Sequence, residues 1–145
     1  MSSILPEIHP DKSTSVLDLR VRFCETDLMG IVHHGSYLVY FEAGRVEWLR
    51  RRGVTYADWA TRGVHLPVVE AHVNYRAPSR FDDVLAVRTT LAELRIVSMK
   101  FTYEIRRGDA VIADGWTRLG CIDAEHKLLK MPESMREVLL SGESI

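Results

Sequence analysis

The residues best suited to chemistry sit in one short stretch, ETDLMGIVHHGSY. Asp27 is followed by Gly30, by the pair His33 and His34, and then by Gly35, Ser36 and Tyr37, where a helical pattern opens. Gly30 suits a tight turn, because glycine takes a positive φ without steric cost. The first amides of a helix have no intrahelical partner and stand at the positive end of its dipole, so they favour an oxygen that is gaining negative charge. A carboxylate beside such amides can attack an acyl carbonyl, or activate a water to do so, while the amides hold the oxygen. The plainer reading of Asp27 is a residue that folds its own turn through its side chain. For the two histidines it is solvation; adjacent histidines diverge, and no nearby cysteine or H-E-x-x-H pattern completes a ligand set, so no metal is expected.

The elements that must hold this loop lie on either side of it. From Val16, the residues Leu17, Leu19, Val21 and Phe23 alternate with Asp18, Arg20 and Arg22, the period of a half-buried strand. Tyr37 to Arg52 contains no Gly or Pro cluster, and Tyr37, Tyr40, Phe41, Gly44 and Trp48 fall on one helical face. Arg50, Arg51 and Arg52 crowd its end, where cations suit the dipole and solvent, and Gly53 fits a C-terminal cap. Thr55 to Thr61 predicts further helical turns. Strands follow from Val69 to Arg76, Val84 to Glu93, Val97 to Arg106 and Ala110 to Ile122, with Arg107-Gly108-Asp109 as a hairpin turn. Pro132 opens a short amphipathic helix bearing Met135, Val138 and Leu139. The expectation is an α+β fold in which four meandering antiparallel strands and the first strand cover the long apolar helix. The last strand carries apolar residues on both alternating sets (Ile112, Trp116 and Ile122; Val111, Leu119 and Cys121), which predicts burial by a second subunit.

Composition narrows the function. In 145 residues, 19 Lys and Arg face 20 Asp and Glu, for a formal net charge of −1. That removes the long-range field of a nucleic-acid or membrane-surface binder. A chain of this length forms one core without disulfide or metal staples. Its two cysteines, Cys24 and Cys121, are too few for a disulfide framework and read as small buried hydrophobes in a reducing compartment. No signal-like start and no membrane-length apolar run is present, so the expectation is a cytoplasmic protein with a loose arm over residues 1–15 and one domain over 16–145.

The run VRFCETDLMGIVHHGSYLVYFEAGRVEWLR resembles the opening of the hotdog-fold acyl-CoA thioesterases of the 4-hydroxybenzoyl-CoA and Tol-Pal-associated types. VNYRAPSRFDD is similar to that family's second strand and following turn, and the KLLKMPESMREVL tail also fits. The resemblance spans Val16 to Leu140. It implies a hotdog fold, an antiparallel sheet wrapped around a long central helix. It also implies hydrolysis of an acyl-CoA thioester, with coenzyme A entering as part of the substrate and no cofactor needed. By the same resemblance Asp27 is the catalytic carboxylate and the helix-start amide of His34, with Gly35 beside it, polarises the carbonyl; a catalytic histidine of this loop would be His34. Active sites between subunits of a homodimer or homotetramer are implied too, with Arg76, Arg80, Arg95 and Lys100 as candidates for coenzyme A.

Other residues carry two readings each. Glu42 could orient water or the loop, or simply pair with Arg45 three residues on. Tyr37 and Tyr40 read as core residues with bonded hydroxyls, Tyr37 also bordering substrate. Trp48, Trp59, Leu66, Val68 and Met99 are candidates for the acyl pocket. Two competing functions remain: a hotdog hydratase or dehydratase acting on an enoyl-CoA, and a non-catalytic module that binds acyl ligands or proteins.

Overall fold

The computed structural model describes residues 6–143. Its elements run β1 (Thr14–Arg20), α1 (Ser36–Arg50), α2 (Tyr56–Thr61), β2 (Val68–Tyr75), β3 (Val84–Leu94), β4 (Ser98–Arg107), β5 (Ala110–Gly120) and α3 (Glu133–Leu140). The strands form one antiparallel sheet in the order β1-β3-β4-β5-β2.

The helix and the central strands meet as their periods require. On α1, Tyr37, Tyr40, Phe41, Gly44 and Trp48 are all buried. Phe41 stacks on Tyr103 of β4 at 4.2 Å, and Trp48 meets Phe101 edge-on at 5.1 Å. Alternate residues of β3 and β4, among them Leu85, Val87, Phe101 and Ile105, complete the core. Gly44 is where the helix comes closest: a Cβ there would lie 2.5 Å from Thr89 Oγ1 and 2.8 Å from Val87 Cγ1.

Several expectations need correcting. The strands do not meander in sequence order, because β2 pairs with β5 at the far edge and β1 flanks β3. Only β3, β4 and β5 are joined by hairpins. As an edge, β2 is exposed along most of its length, with Val69 57% and Tyr75 53% accessible. The first strand begins at Thr14 and ends before Phe23, which lies 76% exposed in a single 3₁₀ turn, Phe23–Glu25. Cys24, in that turn, is exposed; Cys121 is buried, which pushes its thiol up. Residues 1–5 of the expected arm lie outside the described residues, but its end is held in the domain: Ser13 and Ser15 are buried, and Trp48 Nε1 donates to Ser13 O at 2.8 Å.

Arg52 is likewise not a solvated helix end. Its guanidinium is buried 3.6 Å from the centre of the Trp48 ring and donates to Lys12 O, Ser15 Oγ, Trp48 O and Ser141 O. Desolvation pulls it down to about 10, which leaves it charged at neutral pH. The apolar body of the last turn draws it inward, and the carbonyls of the chain's two ends satisfy its donors.

Candidate active site

Because β2 sits at the sheet's far edge, the chain leaving it must cross to β3, and residues 76–83 pass beside the start of α1. Val32 N donates to Ser79 O at 2.8 Å, and Ile31 bridges to Arg80. These bonds fasten the crossing to the loop that precedes the helix. Between them opens a cavity of about 420 Å³ lined by Asp27, Met29, Ile31, Val32, His34, Tyr37, Tyr75, Arg76, Ala77 and Pro78. Its wall is mainly apolar, with one carboxylate, one imidazole and one guanidinium at the margin, the pattern expected where a small molecule binds.

Asp27 stands in a tight turn. Its amide donates to Ile31 O at 2.9 Å, its carbonyl accepts from Gly30 N at 3.0 Å, and Gly30 takes φ +78° as that turn requires. Asp27 Oδ1 accepts from Met29 N at 2.8 Å. The turn-forming reading of Asp27 therefore holds for one oxygen, while Oδ2 has no partner among the described residues.

At the helix start the donors are unequally used. The Gly35 amide donates to His33 Nδ1 at 3.1 Å and the Ser36 amide to His33 O at 2.9 Å. The His34 amide has no hydrogen-bond partner among the described residues. Of the two expected oxyanion donors, Gly35 is thus engaged within the loop and does not line the cavity, whereas His34 does. The two imidazoles lie against each other, ring centres 4.1 Å apart, and both are exposed.

Glu25 anchors this loop from behind. Its carboxylate accepts from Arg22 N at 2.7 Å, from the Arg22 guanidinium and from Tyr40 Oη at 3.1 Å; its carbonyl accepts from His33 N at 2.8 Å. Burial, and then the Glu25 charge, push the Tyr40 hydroxyl well up, so it remains a donor. Tyr37 is buried, with Oη 2.8 Å from Ser79 Oγ, and desolvation raises it too. Both tyrosines are core residues with bonded hydroxyls, as read from sequence. Tyr37 also borders the cavity.

The remaining candidates divide. Arg76 lines the cavity, but its guanidinium is committed to Asp114 at 3.0 and 3.3 Å. Arg80 is tied to the loop through its backbone, and its guanidinium has no acidic partner among the described residues. Glu42 is not at this cavity. It is exposed beside a separate one of about 350 Å³ with Leu66 and Val68, and Arg45 donates not to it but to Tyr103 Oη at 3.0 Å. Lys100 lies over Trp116, 4.8 Å from its ring centre, and Arg95 pairs with Glu93. Neither reaches Asp27's cavity. Trp48 and Met99 are core residues, and the buried Trp59 borders a separate cavity of about 180 Å³ beside α3.

Sequence reasoning missed Glu25, Tyr75, Ala77 and Pro78. The turn at Ala77-Pro78-Ser79 is visible in sequence only as a break between strands. Which element it would lie against depends on the crossover.

Residues 21–139 match the thioesterase-like superfamily. The acyl-CoA thioester hydrolase YbgC of Escherichia coli O6:H1 is 30% identical over 72% of this chain and 79% of its own. A hypothetical protein of known structure from Thermus thermophilus is 43% identical, with a TM-score of 0.83 over 87% of this chain and 95% of that one. The DHNA-CoA thioesterase of Staphylococcus aureus is 27% identical, with a TM-score of 0.83 over 86% and 87%. Matched to that family over most of its length, this chain belongs to the thioesterase-like superfamily.

Proposed function

We propose that this protein hydrolyses acyl-CoA thioesters, releasing a free acid and coenzyme A. The observation that carries the reading is that Asp27 and His34, whose amide has no hydrogen-bond partner among the described residues, line one apolar cavity. The free oxygen of Asp27 takes a proton from a water that attacks the thioester carbonyl carbon, or itself attacks to form a mixed anhydride that a water then cleaves to release the acid. The His34 amide holds the carbonyl oxygen as it becomes an oxyanion, and the sulfur leaves as thiolate. A thioester needs little help at its leaving group, so a carboxylate and preorganised amides suffice. In this reading the His34 imidazole, at the same cavity, protonates the thiolate as it departs. Arg76, which lines the cavity, and Arg80, on the crossing beside it, would meet the phosphates of coenzyme A.

The hotdog arrangement, in which the sheet curls around α1, belongs to the same reading; it is supported by the close approach of Gly44 to β3 and the stacking of Phe41 on β4. So do assembly as a homodimer or homotetramer through the open edge of β2, which ends at the cavity in Tyr75, and residence in the cytoplasm, where the exposed Cys24 stays reduced.

The test is thiol release from a panel of aliphatic and aromatic acyl-CoAs. Wild type should release thiol from at least one, and Asp27→Asn should lose roughly a hundredfold or more in kcat, the ordinary worth of a positioned base, at unchanged melting temperature. An Asp27→Asn enzyme at near-normal rate would remove Asp27 from the chemistry.

A further inference from the structure

Tyr75 closes β2 at the sheet's edge, and the structure assigns it a part in this site: we propose that it is the positioning residue that holds His34 in place. The proposal rests on His34 being the oxyanion donor. Tyr75 Oη donates to His34 O at 2.9 Å. That carbonyl is available because the Leu38 amide donates one residue further on, to Gly35 O at 3.2 Å, so the first turn of α1 leaves His34 O out of its ladder. No other hydrogen bond among the described residues fixes this residue, whose ring lies against that of His33. Its amide has no partner, its side chain is exposed, and the neighbouring amides of His33, Gly35 and Ser36 all bond to Glu25 or His33. Among the described residues, the single hydrogen bond that tethers residue 34 therefore comes from a hydroxyl on another element.

Tyr75 is itself well placed to be rigid. Its ring meets Tyr37 edge-on at 5.6 Å, and Tyr37 is locked through its hydroxyl to the buried Ser79. The Tyr75 ring thus takes its orientation from the core while more than half of its surface stays accessible. An amide that must face an oxygen only when charge develops gains from being fixed beforehand, and a small displacement costs rate more than affinity.

Tyr75→Phe removes the tether and keeps the ring. With the acyl-CoA that wild type turns over best, kcat should fall about tenfold while KM stays within about twofold, the signature of an interaction made only in the transition state. The melting temperature should hold. A Tyr75→Phe kcat within twofold of wild type would overturn the proposal, as would a joint loss of kcat, KM and melting temperature, which marks general loosening. Asp27→Asn, run alongside, separates the two readings: if it abolishes turnover while Tyr75→Phe does not slow it, the tether alone fails. If Asp27→Asn keeps its rate, the site reading fails and takes the tether with it.

Discussion

Asp114 illustrates how a residue outside the cavity shapes it. It accepts from Asn74 Nδ2 at 2.9 Å and from both the Nε and an Nη of Arg76, and these bonds hold its carboxyl below the ordinary 3.8. A carboxylate that gives up its proton more readily when folded contributes stability above about pH 4, and the contribution is lost as pH falls through the folded value. Asp114→Asn should therefore lower the melting temperature at pH 7, and the gap to wild type should close as pH drops below 4; a gap that persists at pH 2 would assign the effect to packing. The same exchange frees Arg76 to swing at the cavity mouth. Glu25 is the counterpart behind the loop. Its buried carboxylate spans Arg22 and Tyr40, and it was invisible as an organiser in sequence, where it is one acid among twenty.

At the scale of elements, the packing of α1 on β3 depends on the absence of a side chain at Gly44. Alanine is ordinarily better than glycine inside a helix by about 1 kcal/mol, so propensity alone predicts that Gly44→Ala stabilises. The Cβ would press on Thr89 and Val87 of β3, neither of which can move without disturbing the sheet. Overpacking of this kind costs about 1–3 kcal/mol, so the expected outcome in chemical denaturation is a net loss of stability. A stabilised variant would mean that α1 can lift off β3 cheaply. The Thr89 hydroxyl, buried without a partner among the described residues, marks how closely the two backbones meet. Long helical and strand periods were legible because each maps directly onto a buried face: Phe41, Trp48, Phe101 and Ile105 are core residues by pattern and in fact. Arg52 was misread because its fate is set by the Trp48 ring and by two chain ends far away in sequence.

At the scale of the whole molecule, one edge of the sheet stands exposed. β2 bonds to β5 along one side only, and Val68, Val69 and Tyr75 are exposed along it. An open edge is a template for another strand, and a second copy pairing there would cover it. Light scattering should then give a mass that is a multiple of 16.6 kDa, and Val69→Lys should shift it toward the monomer with loss of thiol release. A wild-type monomer at full activity would show that each chain carries a complete site.

The sequence by itself determined the run of elements, the helix face that is buried and the tight turn at Asp27, because each of these is a local matter of period, φ or capping. Only the tertiary structure decided that β2 lies beyond β5, since strand order follows from which edges bury most surface and no local signal encodes it. That one long-range choice sends residues 76–83 across the start of α1, brings Tyr75, Ala77 and Pro78 to Asp27, and leaves Glu42 outside.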